Sequence, residues 1–180
     1  MFIPSRVFIT TGYGYHEKQL GSFELALRQA GIQAQNLVYV SSIFPPRCQI
    51  IPKSRGLELL RPGEITFCVM AKQSTDENGR LAGASVGIAI PRDRNRYGYL
   101  SEVHGFGKTQ KEIGDDAEDL AAEFLAASLD LPFDINKSWN QRMKEWKLGG
   151  HIVTTKSCPI VKSGKSNQWL TVVSVAVLLT

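Results

Sequence analysis

The chain has 180 residues, 43% of them hydrophobic and 21% charged, the size and make-up of one globular domain with a core of its own. Its net charge of +4 comes from basic residues scattered through Arg55, Arg61, Arg80, Arg92, Arg94, Arg96 and Lys108, with no run able to track a phosphate backbone, so nucleic acid is not an expected partner. The apolar run Leu170–Leu179 falls far short of the ~20 residues of a membrane-spanning helix, and the amino terminus lacks the basic and apolar regions of a signal peptide, so no membrane partner is expected either.

Arg6–Thr11 reads as the first strand, ended by a glycine turn at Gly12-Tyr13-Gly14. Glu17 stands where a dinucleotide-binding loop would have its third glycine. From Lys18 to Ala30, the residues Leu20, Phe23, Leu27 and Ala30 recur at helical steps, and Gly31 supplies a stop. A β-rich run then extends from Asn36 to Phe44 and ends at Pro45-Pro46, with a short strand expected at Cys48–Ile51.

Ile65–Ala71, Ala84–Ile90 and Tyr97–His104 read as three neighbouring antiparallel strands, the first two joined by a hairpin with Asn78-Gly79 as its turn. Thr109–Leu129 carries the strongest helical pattern, and its acidic residues Asp115, Asp116, Glu118 and Asp119 fall in the half that the helix dipole favours. A looser helix is expected over Asn136–Trp146, then strands at His151–Thr155 and Leu170–Leu179. The intervening Gly164-Lys165-Ser166 lacks the upstream glycine and following helix of a Walker loop. Helices and strands do not alternate regularly, which predicts an α+β fold of antiparallel sheets covered by helices. No linker or repeat divides the chain, so residues 1–180 are expected to form a single domain.

Cys48, Cys68 and Cys158 form no C-x-x-C pair and sit in apolar segments, the pattern of reduced, packed thiols in a cytoplasmic protein. No histidine has metal-ligand spacing, so no metal is expected. The block that stands out is Val40-Ser41-Ser42-Ile43-Phe44-Pro45-Pro46, with Glu102 later in a strand before the corner Gly105-Phe106-Gly107. Taken alone, a serine pair fits a strand end with two hydroxyls bonded to backbone.

Together with Leu20–Gly31, Asn36-Leu37, Val86–Asp93 and Glu102-Val103-His104-Gly105, this block resembles the pyruvoyl-dependent arginine decarboxylase family over residues 6–130. The resemblance implies that the chain cuts itself between Ser41 and Ser42 into 1–41 and 42–180. Ser42 would become a covalent pyruvoyl cofactor, which forms a Schiff base with arginine and acts as the electron sink while CO2 leaves and agmatine forms. It implies that Glu102 returns the proton, which near neutral pH requires a raised pKa. Asn36 would assist processing by polarising the scissile carbonyl; a turn residue after the helix is its other reading. Glu24 would meet the substrate guanidinium, or else be one solvated helix charge. His104 carries no assigned role. A four-layer αββα sandwich, assembled as a homotrimer or dimer of trimers, is the implied architecture. Two alternatives are a decarboxylase of another amino acid and a non-catalytic oligomeric binding protein.

Overall fold

The structure is a computed structural model that describes residues 3–131, 141 and 152–180. Among the described residues nine strands form two sheets. The first contains β1 (Arg6–His16), β2 (Asn36–Tyr39), β4 (Gln49–Ile50), β5 (Ile65–Thr75) and β9 (Trp169–Leu179) in the order β2-β5-β9-β1-β4. The second has the order β3-β7-β6-β8, built from β3 (Ile43–Phe44), β6 (Leu81–Pro91), β7 (Gly98–Phe106) and β8 (Ile152–Ser163). Helix α1 (Gln19–Ala30) packs on β1 and β9, and α3 (Gln110–Ser128) packs on β6, β7 and β8. A short helix, α2 (Lys53–Leu57), leans on β1. The predicted helix over Asn136–Trp146 lies outside the described residues apart from Gln141, as does the start of the predicted strand at His151.

The α+β class holds, with one correction: the first sheet is mixed. Strands β1 and β4 pair in parallel, as do β2 and β5. Neither pair is joined by a hairpin: α1, β2 and β3 separate β1 from β4, and β3, β4 and α2 separate β2 from β5, the long crossovers that parallel neighbours need. The second sheet is antiparallel throughout.

A second correction concerns the expected three-strand meander. Strands β6 and β7 do pair, but β5 lies in the other sheet between β2 and β9. The segment containing Gly79, at a φ of 75°, therefore carries the chain between sheets. Turn chemistry at Asn78-Gly79 is real; it does not specify which strands the turn joins.

The glycines at 12 and 14 also differ from expectation, because β1 runs straight through them as far as His16. A Cβ on Gly12 would fall on the Ala26 carbonyl of α1, and one on Gly14 would meet the Ser22 carbonyl. Their role is close approach of helix to strand. Gly31 does cap α1, at a φ of 85° with its N–H bonded to the Arg28 and Leu27 carbonyls. A capping box between Thr109 and Glu112 starts α3.

Between the sheets lies one core that includes Val7, Phe44, Val69, Val86, Leu100 and Val172. A second fills the space under α1 and α2, and a third lies beneath α3. Ser174 ties the sheets together: its hydroxyl donates to the Cys158 carbonyl at 2.7 Å and accepts the Val86 N–H at 3.0 Å. Gly12→Ala should overpack the α1 seat and cost about 1–3 kcal/mol or more. Urea unfolding should show a lower midpoint, and an unchanged midpoint would mean that α1 is not seated so closely.

Candidate active site

The predicted single run Asn36–Phe44 is two strands in two sheets. β2 edges the first sheet and β3 edges the second, and Val40-Ser41-Ser42 is the crossing between them. The Val40 N–H still donates to the Cys68 carbonyl at 3.0 Å, continuing the β2 ladder by one residue. Three residues later Ile43 is already paired with Tyr99 of β7. The Leu100 N–H donates to the Ser42 carbonyl at 2.8 Å, and the Ile43 N–H donates to the Ser41 carbonyl at 2.9 Å. Both carbonyls that flank Ser42 are therefore held. Its half-buried side chain has a hydroxyl with no partner among the described residues.

The downstream side is fixed as firmly. Phe44 and Pro45 are buried, and the two prolines cannot donate to a continuing ladder. Arg47 donates its N–H to the Arg94 carbonyl at 2.9 Å and its guanidinium to Asn95 Oδ1. Arg94 in turn bonds to the Cys48 carbonyl and lies over the Phe44 ring. The loop joining β6 to β7 thus clamps the segment after the serine pair.

Glu102 comes from β7, the strand to which this segment is bonded. Alternation fixes its direction. The Ser101 hydroxyl donates to the Ala117 carbonyl of α3, while Leu100 belongs to the core between the sheets. Glu102 and His104 share the Leu100 side of the strand and so face toward the first sheet. Glu102 is exposed at the rim, yet desolvation of its carboxyl outweighs the nearby His104 charge and raises its pKa.

Sequence reasoning missed what surrounds this carboxyl. Glu102 acts electrostatically on Tyr39 and Cys68, which pair with each other across β2 and β5. Burial and Glu102 together push the Cys68 thiol up to about 12, and burial, Cys68 and Glu102 raise the Tyr39 phenol. The Tyr39 hydroxyl donates to Met70 Sδ at 3.1 Å. No local pattern distinguishes these residues, because the inter-sheet crossing is what brings them toward Glu102.

Asn36 and Glu24 are not drawn into this group within one chain. The Asn36 side chain donates to the Gly63 carbonyl at 2.8 Å, at the start of β2. It lies five residue steps from Ser41, roughly 16 Å at strand rise. Glu24, on α1, pairs with Arg28 at 3.0 Å. A cleft of about 540 Å3 opens beside Ser41 and is lined chiefly by apolar groups, among them Val40, Ile43, Pro45 and Phe67. Among the described residues no cluster of three potential ligands could hold a metal, and no helix is long and apolar enough to cross a membrane.

The family model for pyruvoyl-dependent arginine decarboxylase matches residues 6–180. The chain belongs to the pyruvoyl-dependent arginine decarboxylase family. It is 52% identical over 178 residues to a "probable pyruvoyl-dependent arginine decarboxylase" of Chlorobaculum tepidum, covering 99% of this chain and 98% of the relative. Similarity extends to the pyruvoyl-dependent arginine decarboxylases of Nitrosopumilus maritimus, 47% identical over 98% of this chain and 97% of the relative, and of Methanococcoides burtonii, 48% identical over 95% and 96%.

Members of the pyruvoyl-dependent arginine decarboxylase family carry a covalent pyruvoyl group derived from an internal serine. The residues here fit such a group, since a serine with an unbonded hydroxyl stands between two anchored carbonyls beside an apolar cleft. His104→Ala removes the charge that opposes the Glu102 shift. The Glu102 carboxyl should therefore stay protonated to higher pH than in the parent, readable by carboxyl carbon NMR of glutamate-labelled protein. An unmoved titration would separate the two side chains.

Proposed function

We propose that this protein cuts itself between Ser41 and Ser42, converts Ser42 to a pyruvoyl group, and decarboxylates arginine to agmatine. The observation that carries the reading is the crossing itself: a serine pair with both flanking carbonyls anchored, one of them to the strand that bears Glu102. Once formed, the pyruvoyl carbonyl supplies an electrophile for the substrate amine and a sink for the electrons that departing CO2 leaves. Glu102 holds the proton that is returned to the substrate α-carbon, and its raised pKa suits a carboxyl kept protonated for that purpose.

Glu24 is the carboxylate for the substrate guanidinium. Arg28 already offers it a guanidinium in an exposed pair, of a kind worth about 0.3–0.5 kcal/mol, so a substrate guanidinium can displace it. Asn36 lies on the edge strand β2 and assists processing across a subunit boundary, where the exposed Val38, Tyr39 and Ile65 of β2 and β5 favour contact with a further copy. This agrees with a homotrimer, or a dimer of trimers, of single-domain αββα sandwiches in the cytoplasm.

The test is the intact mass of the purified protein together with its products. It should consist of pieces of about 4.5 and about 15 kDa out of 19.9 kDa. The larger should resist Edman degradation, and arginine should yield equal amounts of CO2 and agmatine. A chain that stays whole under all conditions, or a processed chain that leaves arginine untouched, would overturn the reading.

A further inference from the structure

We infer that the backbone N–H of Ile43 is the oxyanion donor that this chain itself supplies for self-cleavage, an inference that rests on the assignment of Ser41–Ser42 as the scissile pair. The Ile43 N–H meets the Ser41 carbonyl oxygen at 2.9 Å, closing a three-residue turn about Ser42. Arg47, Asp130 and Asn167 are the non-glycine residues at positive φ among the described residues, so the turn is the inverse γ-turn common where strands end and loops begin.

The Ser41 carbonyl is the one that cleavage attacks. In the acyl shift a bond forms from Ser42 Oγ to the Ser41 carbonyl carbon, and the Ser41 C–N bond breaks. The hydroxyl proton ends on the Ser42 nitrogen. Between these events the carbon is tetrahedral and its oxygen carries negative charge. A hydrogen bond to an ionised acceptor is about twice as strong as one to a neutral carbonyl, so this contact strengthens as the charge develops. The donor also needs no rearrangement: Ile43 is paired with Tyr99, Phe44 behind it is buried, and Leu100 holds the Ser42 carbonyl. A fixed dipole aimed at the developing charge is the arrangement that stabilises acyl-transfer intermediates. In the same chain the Asn36 amide is engaged at the Gly63 carbonyl.

The experiment replaces Ile43 with its α-hydroxy analogue during translation, which exchanges the N–H for an ester oxygen and keeps the side chain. The same exchange at Leu100 serves as the comparison, because it loosens the Ser42 carbonyl without touching that of Ser41. Half-times of cleavage are read by mass spectrometry. The Ile43 ester should cleave ~10²–10³-fold more slowly than the parent, and the Leu100 ester less than tenfold more slowly. An Ile43 ester that cleaves at the parental rate, or no more slowly than the Leu100 ester, overturns the inference alone. A parent chain that never cleaves at Ser41–Ser42 overturns the functional reading as well. Amide hydrogen exchange on whole-chain Ser42→Ala supplies a test independent of ester folding: the Ile43 amide should be protected, and exchange at the rate of a free amide would remove the bond on which the inference stands.

Discussion

Ser42→Ala should remain a single 19.9 kDa chain and release no CO2 from arginine above background. The substitution removes the oxygen that would attack the Ser41 carbonyl, and with it the Cβ–O bond whose loss leads to the pyruvoyl group. No slower route is left, because no other hydroxyl belongs to residue 42. Folding should survive. The Ser42 hydroxyl has no partner among the described residues and the side chain is only half-buried, so the stability change should stay within about 0.5–1 kcal/mol. Ser41→Ala is the informative companion. Ser41 contributes its carbonyl to the cut and its side chain to nothing in the scheme, so this variant should still yield two chains. Denaturing gels of both variants, with urea unfolding to show that each is folded, decide the matter. A cleaved Ser42→Ala protein would exclude this serine as the nucleophile.

Glu102→Gln should separate making the cofactor from using it. The substitution keeps the shape of the side chain and removes its transferable proton, so cleavage should proceed. Radiolabelled arginine should still be retained covalently after borohydride treatment. Decarboxylation should fall by ~10²–10⁴-fold, the range of a lost general acid. The parent should show the corresponding pH dependence. The raised pKa keeps the carboxyl protonated above the ordinary glutamate range, and proton return should slow as rising pH ionises it. That alkaline limb should be missing from the glutamine variant. An unimpaired Glu102→Gln enzyme would move the acid elsewhere, and Tyr39, the phenol on which Glu102 acts electrostatically, would be tested next, since Tyr99 lies on the α3 side of β7 against Phe124. A variant that fails to cleave would extend the role of Glu102 into processing.

Much of the architecture follows from patterns that are short in range. Helices α1 and α3 declare themselves through helical spacing, with a glycine stop for α1 and acidic residues in the first half of α3. The carboxy-terminal strand declares itself as a continuous apolar run, and it occupies the centre of the first sheet. Sheet membership is a different kind of information. Asn36–Phe44 has strand-like residues throughout, and nothing local announces that its two halves pair with Ile65–Cys68 and with Tyr99-Gly98 respectively. β5 sits in the first sheet and not beside β6 for a reason equally hidden from local pattern, since strand propensity is silent about partners. Gly12 and Gly14 look like a turn in the sequence because glycine serves both turns and close approaches; only the position of α1 decides between them.

At the candidate site the side chains Ser42 and Glu102 are legible through family resemblance, and their connection through β7 is legible only in three dimensions. The Ile43 contact is a further step removed. Every residue other than proline has an N–H, so no residue type could mark this one in the sequence.

The order β2-β5-β9-β1-β4 has a consequence for what a cut at Ser41–Ser42 leaves behind. Residues 1–41 hold β1, α1 and β2; the remainder holds β5 and β9, which lie between β1 and β2 in the sheet. β1 is laced to β9 over 11 paired residues, and β2 to β5 over four more. The amino-terminal piece therefore straddles two strands of its partner, with α1 spanning the gap on the outer face. Severing the backbone makes the molecule a complemented pair of fragments, and neither fragment can depart without dismantling the first sheet. Loss of the small chain and global unfolding become one event, and the cut end at residue 42 stays moored through its neighbour Ile43 to β7.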